Sequence, residues 1–197
     1  MIKGAGELLF QLQTYKNPQN RIQRLVKAGT LFPIRRGLYE THRNVSMRLL
    51  AGTIYGPSYI SFTSALSYYG LIPERVYACT SATQNKNRTK SYHTPFGDFY
   101  YHDIPREAYP YGVVWKQEGD SYSYLMAAPE KALCDLLYLQ PSVYSRKALE
   151  EMLFSDLRID EEGFSRLNHA DLAFLCPKYH KTTLNQLEIY LWKENHR

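Results

Sequence analysis

The stretch NRIQRLVKAGTLFPIRRGLYE, residues 20–40, combines a basic amphipathic segment with a tight turn. Its charged residues are Arg21, Arg24, Lys27, Arg35, Arg36 and the final Glu40. Asn17 followed by Pro18 predicts the start of a helix that runs into this stretch, because asparagine caps free N–H groups and proline needs no hydrogen bond at the first helical position. The helix is expected to end near residues 28–29, where glycine can adopt the left-handed conformation of a C-terminal cap.

A preceding helix and a following hairpin extend this pattern. The expected elements are a first helix within residues 2–15, strands at residues 31–34 and 38–41, and a turn at Arg36-Gly37 between the strands. Leu8, Leu9 and Leu12 have the spacing of an apolar helix stripe, and Gly37 tolerates the positive φ angle of a tight turn. Two helices followed by a hairpin predict a winged helix–turn–helix.

The predicted second helix has one apolar face and one polar face when it is plotted at 100° per residue. Ile22, Leu25 and Val26 form a stripe that is expected to face the core. The polar face carries Asn20, Gln23, Arg24 and Lys27. Asparagine, glutamine and arginine match the hydrogen-bonding edges of adenine and guanine, and lysine can also reach guanine. We therefore predict that these four residues contact base edges in the major groove of DNA.

Contacts to the phosphate backbone are predicted for Arg21, on the flank of the same helix, and for Arg35 and Arg36 at the tip of the hairpin. Residues 1–48 contain nine Lys and Arg but two Asp and Glu, a formal charge of +7, whereas the rest of the chain carries −2 of the total +5. Such an asymmetry is typical of a polyanion-binding segment joined to a neutral body. Double-stranded DNA is therefore the predicted partner of the N-terminal region.

The remainder of the chain has short strand patterns as far as residue 127 and helical patterns from Pro129 onwards. This order predicts an α+β fold: a short winged helix–turn–helix over residues 1–45, then a mixed β-sheet body with a helical C-terminal layer over residues 46–197. In the helix that begins at Pro129, Lys131 and Asp135 are expected to form an i, i+4 pair on the outer side.

Three stretches of the chain resemble one protein family. They are RLVKAGTLFPIRRGLYE at residues 24–40, PSYISFTSALSYYGLIPE at residues 57–74 and APEKALCDLLYL at residues 128–139. The family is AbiEi, bacterial antitoxins and transcriptional regulators of abortive-infection, type IV toxin–antitoxin operons. The resemblance implies that a winged helix binds inverted repeats in the operon's own promoter and that the C-terminal domain neutralises a nucleotidyltransferase-like toxin encoded nearby. The winged helix is abbreviated here, since only sixteen residues precede Asn17.

Several other functions are disfavoured by the residues that are present. The motifs of serine hydrolases, phosphate-binding loops and zinc peptidases are missing, so we predict no enzyme, no catalytic residue and no cofactor. The three cysteines are widely spaced among apolar neighbours, which favours buried thiols over disulfides or metal ligands, and His93 and His102 lack a third ligand. No apolar run approaches the roughly 20 residues of a membrane-spanning helix, and no signal peptide is recognisable, so a cytoplasmic protein is expected.

Two other binding functions remain open. Tyr92, Tyr100 and Tyr101 lie next to the basic sequence QNKNRTK at residues 84–90, a combination that can stack the bases of RNA or single-stranded DNA. The other alternative is a protein-interaction module without DNA binding, which would show no affinity for duplexes even at low salt.

Overall fold

The structure is a computed structural model and describes residues 1–119 and 122–194. Its strands are β1 (Ile2–Gly4), β2 (Phe32–Arg35), β3 (Leu38–Glu40), β4 (Tyr59–Ile60), β5 (Cys79–Thr83), β6 (Lys90–Thr94), β7 (Gly97–Asp103), β8 (Val113–Glu118) and β9 (Tyr122–Ala127). Its α-helices are α1 (Ala5–Gln11), α2 (Pro18–Lys27), α3 (Met47–Ile54), α4 (Phe62–Tyr68), α5 (Pro129–Leu139), α6 (Arg146–Glu150), α7 (Glu161–Ser165), α8 (His169–Leu175) and α9 (Thr182–Glu194). A π-helical turn, Glu151–Asp156, follows α6, and a 3-10 turn, Cys176–Tyr179, follows α8.

The N-terminal region consists of α1 and α2 and a three-stranded antiparallel sheet in the order β1-β3-β2. Strand β1 pairs Ile2 with Glu40 and Gly4 with Leu38. The sequence analysis predicted the β2–β3 hairpin but not β1, because three residues are too few for an alternating pattern. The first helix accordingly begins at Ala5, after the strand.

The ends of α2 follow the local rules that predicted them. The Asn17 side chain accepts a hydrogen bond from the Asn20 N–H at 3.0 Å, and Pro18 occupies the first turn. Gly29 closes the helix with a φ of 67°, and Gly37 turns the hairpin with a φ of 80°. Both angles lie in the left-handed region that glycine adopts without a steric penalty.

The second sheet has six strands in the order β6-β7-β5-β4-β9-β8. The pairs β4–β9 and β5–β7 are parallel, and the other neighbouring pairs are antiparallel. After β9 the described chain forms helices and connecting turns only. The prediction of a mixed α and β fold with a mixed sheet is therefore confirmed. Among the described residues no helix is both long enough and apolar enough to span a membrane.

The two sheets contact each other through their edge strands. The fully buried centre of the α1–α2 unit is small and consists of Leu8, Ile22 and Leu31. Ile34 on β2 belongs instead to the large core of the body, and the Phe32 ring packs edge-on against Phe96 at 6.2 Å. Strand β2 thus packs against β6, the edge strand of the larger sheet. The predicted domain boundary after residue 45 stays a prediction, and residues 120–121 and 195–197 of the second domain lie outside the described residues.

Helix α5 occupies the centre of the body, in contact with α4, β9, α8 and α9. The expectation that Lys131 and Asp135 lie on its outer side is wrong, because both side chains are 0% exposed. Residues 131–137 of α5 are all buried, so the middle of the helix has no solvent-facing stripe. The apolar residues around the whole helix, in ALCDLLYL, are the sequence signal for such burial.

The buried pair is fully hydrogen-bonded. Lys131 Nζ lies 2.9 Å from Asp135 Oδ1 and donates to the Ala108 carbonyl at 2.8 Å and to the Tyr179 hydroxyl at 2.5 Å. Burial lowers the pKa of Lys131, and the charge of Asp135 opposes that shift. A buried ion pair is retained only where such bonds compensate for the loss of hydration.

Asp135 also joins distant elements of the body. Its carboxylate accepts hydrogen bonds from Tyr59 at 3.1 Å, from Ser61 at 2.6 Å and from Tyr179 at 2.6 Å. These partners come from β4, from the start of α4 and from the 3-10 turn after α8. The network therefore fixes α5 against both the sheet and the helical layer.

Candidate nucleic-acid interface

Helix α2 has the two faces that its sequence predicts. Ile22 is buried, and Leu25 and Val26 are half-buried against the small N-terminal core. The side chains predicted to contact base edges are all solvent-exposed: Asn20, Gln23, Arg24 and Lys27. The apolar stripe thus directs the polar face outward, and no neighbouring element of the described chain covers it.

Arg24 and Lys27, the cations of this face, have no acidic partner among the described residues. In residues 1–45 the ion pairs are Lys3 with Glu7 at 3.3 Å and the Met1 amino group with Glu40. Arg24 and Lys27 form neither an ion pair nor a side-chain hydrogen bond within the described chain. Their charges therefore remain available to an external anion.

Arg21 is held differently from its neighbours. It is half-buried, and its guanidinium lies 5.2 Å from the centroid of the Tyr15 ring. Its Nε atom is buried and has no hydrogen-bond partner in the described chain. The contact with Tyr15 fixes the direction of Arg21 along the flank of α2, where the sequence analysis placed a phosphate contact.

A cleft of about 390 Å³ opens at the N-terminal end of α2. It is lined by Tyr15, Lys16, Asn17, Asn20, Arg21 and Arg24. Lys16 was not among the predicted site residues, although its place directly before the helix cap is the signal that could have indicated it. A helix N-terminus and several cations together favour a bound anion.

The tip of the hairpin presents two further cations. Arg35 and Arg36 are exposed, and neither forms an ion pair with a described residue. The Ala5 N–H donates to the Gly37 carbonyl at 2.8 Å, so the start of α1 supports the turn. Arg35 ends β2, where it is paired with Leu38, and Arg36 lies in the turn that follows, so both arginines flank the tip of the hairpin.

Glu40, the single acid of the 20–40 stretch, is removed from this surface. Its side chain is buried and accepts hydrogen bonds from the Thr41 N–H at 2.8 Å, from the His42 N–H at 3.0 Å and from the Met1 amino group. Burial alone would raise the pKa of Glu40, but these bonds outweigh it and lower the pKa. The negative charge of Glu40 is thus bound by groups of the protein and is not exposed on this surface.

Other reactive side chains are occupied in packing. Cys79, Cys134 and Cys176 are free and buried, as expected, and burial raises the pKa of Cys79 to about 12. His93 bonds to Asp98 at 2.8 Å, and His102 packs edge-on against a phenylalanine ring. In the part of the chain that the structure describes, no three His, Cys, Asp or Glu side chains are grouped closely enough to hold a metal.

Comparison with models of protein families gave no match, and comparison with curated proteins also gave none. The assignment of a function therefore depends on the residues and the geometry described above.

Proposed function

We propose that this protein is a DNA-binding transcriptional regulator whose N-terminal region acts as a winged helix–turn–helix. The observation that carries the proposal is the exposed polar face of α2, whose cations pair with no acid of the described chain, together with the two exposed arginines of the β2–β3 hairpin. The element order β1-α1-α2-β2-β3 supports it, with α2 as the recognition helix and the β2–β3 hairpin as the wing.

Each predicted residue has a distinct role in this proposal. Asn20, Gln23, Arg24 and Lys27 contact base edges, whereas Arg21, Arg35 and Arg36 contact phosphates. The cleft at the start of α2 receives a backbone phosphate, because Lys16 and the helix N-terminus converge there. The buried position of Glu40 supports this division, since an exposed carboxylate here would repel the duplex.

We also propose an antitoxin function for the α+β body, on the basis of the resemblance to the AbiEi family. The partner would be a nucleotidyltransferase-like toxin encoded next to this gene. In the type IV arrangement that the resemblance implies, neutralisation does not require direct contact. Co-expression tests this part: the protein should restore growth to cells that carry the toxin, and unchanged toxicity would contradict it.

Recognition of RNA or single-stranded DNA by stacked tyrosines is less well supported. Tyr101 is 0% exposed, and its hydroxyl donates to the Ala51 carbonyl at 2.8 Å. Tyr92 packs against Tyr101 and Tyr55, with ring centroids 5.9 Å and 6.0 Å apart. Stacking requires a free ring face, and these rings are already packed against one another.

The DNA-binding proposal is tested by fluorescence anisotropy with the duplex that lies immediately upstream of the gene. Binding should be tighter for this duplex than for a random duplex of equal length and should weaken as salt increases. Absence of duplex affinity even at low salt would overturn the proposal and favour the protein-interaction alternative. Equal affinity for the upstream and the random duplex would show that binding lacks sequence preference, and it would contradict the role as a transcriptional regulator.

A further inference from the structure

The loop between β5 and β6 is ordered by the carboxylate of Asp103. This carboxylate accepts hydrogen bonds from the Thr83 hydroxyl and from the N–H groups of Lys86 and Asn87, each at 2.5 Å. Asn85 and Asn87 adopt left-handed φ angles of 56° and 53°, which asparagine tolerates better than most residues. The carboxylate of Asp103 thus holds the backbone of the loop in place.

The two cations of this loop and Lys90, the first residue of β6, differ in their surroundings. The Lys86 ammonium turns inward, donates to the Gly56 carbonyl at 3.2 Å and lies 5.3 Å from the centroid of the Tyr55 ring. Arg88 is exposed and Lys90 is half-exposed, and neither contacts an acidic side chain of the described chain. Lys86 therefore anchors the loop, and the other two cations remain free.

The loop leads into the strand that packs against the proposed wing. Strand β6 begins at Lys90 and packs against β2, and the Phe32 ring contacts Phe96, which follows the far end of β6. Lys90 pairs in register with Tyr101, whose ring contacts Tyr55, over which the loop is anchored. The loop cations and the wing arginines therefore belong to two elements that pack against each other, β6 with its preceding loop and the β2–β3 hairpin.

We propose that Arg88 and Lys90 form a second phosphate-contacting surface, which extends the duplex footprint past the wing. The inference rests on the proposed DNA-binding function. The partner is the sugar–phosphate backbone of flanking duplex, because the free groups are cations and the neighbouring Tyr92 and Tyr101 rings are packed. Such contacts add affinity and salt dependence without adding sequence preference.

The test uses the full chain with R88A/K90A and measures anisotropy on labelled random duplexes between about 50 and 200 mM salt. With a duplex of about 30 base pairs, the slope of log affinity against log salt should fall by about 1.8, since two phosphate contacts are lost. The matched control is K147A/K193A, which removes the same charge from exposed positions on α6 and α9 and should leave the slope unchanged. Circular dichroism verifies that both variants are folded.

Three results would overturn the proposal, and they have different meanings. If R88A/K90A behaves as the control while R35A/R36A lowers the slope, the loop makes no duplex contact but the proposed function stands. If R88A/K90A weakens binding to a single-stranded oligonucleotide alone, the loop serves a different nucleic acid. If the unmodified protein binds no duplex, both this proposal and the DNA-binding function fail.

Discussion

Two charged regions of this protein use the same residue types in opposite ways. On α2 and the wing, cations lie at the surface with no acidic partner in the described chain. On α5, Lys131 and Asp135 are completely buried and bonded to each other and to surrounding groups. In the first arrangement the cations can bind an external anion. In the second, the charged groups form hydrogen bonds only with other groups of the protein.

The difference follows from what surrounds each helix. Helix α2 packs by one stripe on a small core centred on Leu8, Ile22 and Leu31, so most of its circumference is free for polar groups. Helix α5 is covered by α4, β9, α8 and α9, and every polar group on it needs an internal partner. Substitutions in the two helices should therefore change different properties, stability for α5 and DNA affinity for α2.

The largest effect is expected from Lys131→Met, which leaves the carboxylate of Asp135 buried without its ion-pair partner. The free energy of unfolding should fall by about 3–5 kcal/mol, which lowers the melting temperature by about 6–20 °C for a chain of this size. Urea unfolding and thermal melts measure both quantities. Lys147→Met, at an exposed position on α6, is the control and should change stability by less than about 0.5 kcal/mol. Equal stability of the two variants would show that the buried pair contributes nothing.

Alkaline pH should destabilise the body, because Tyr59, Tyr101 and Tyr179 are buried and burial raises the pKa of each above 10. The folded state keeps these protons where the unfolded chain loses them, so the stability present below pH 10 is lost as the pH rises further. Each tyrosine should contribute a slope of about 1.4 kcal/mol per pH unit.

Measurements above pH 10.5 avoid the contribution of Lys131, whose lowered pKa acts in the opposite direction at lower pH. Tyr101→Phe should reduce the slope of unfolding free energy against pH by about 1.4 kcal/mol per unit. Tyr144 is 77% exposed, and Tyr144→Phe should leave the slope as it is. If Tyr101→Phe leaves the slope unchanged, the prediction that Tyr101 keeps its proton in the folded state is wrong.

Arg24→Ala tests the surface side of the contrast. The substitution should cost about 1–3 kcal/mol of binding to the upstream duplex, should reduce the preference for that sequence and should leave unfolding unchanged. Anisotropy titrations with cognate and random duplexes measure the loss. An equal loss of affinity on every duplex would refute a base contact. Arg24 would then contact the phosphate backbone.

The smallest effect is expected from Arg36→Ala at the tip of the wing. Affinity should fall by a similar factor for all duplexes, and the salt slope should decrease by about 0.9 as one phosphate contact is lost. Salt titrations of the two duplexes measure it, with Lys147→Ala as the charge-matched control. A loss confined to one sequence would place Arg36 against a base edge.

The candidate surface could be predicted from the sequence because local rules govern it. The position of Asn17-Pro18, the spacing of Ile22, Leu25 and Val26, and the turn at Gly37 lie within single elements. These features determined the bounds of α2, its outward face and the exposed arginines of the hairpin. Lys16 was missed because its role depends on a cleft formed by several residues.

The interior of the body could not be predicted in the same way. The i, i+4 spacing of Lys131 and Asp135 is equally compatible with an exposed and a buried pair, and local propensity does not distinguish them. Strand β1 has only three residues, which is too few for a recognisable pattern. It is a strand because it pairs with β3. Both outcomes depend on residues far away in the chain.

Helix positions, caps, turns and the uneven distribution of charge thus follow from the order of residues along the chain, since each depends on neighbours within a few positions. Packing of β2 against β6, burial of Glu40 and enclosure of α5 come from contacts between remote segments. Such contacts determine which charges lose their hydration and need internal partners. The same contacts leave Arg24, Lys27 and the wing arginines exposed to solvent. Within the described residues these cations have no acidic partner.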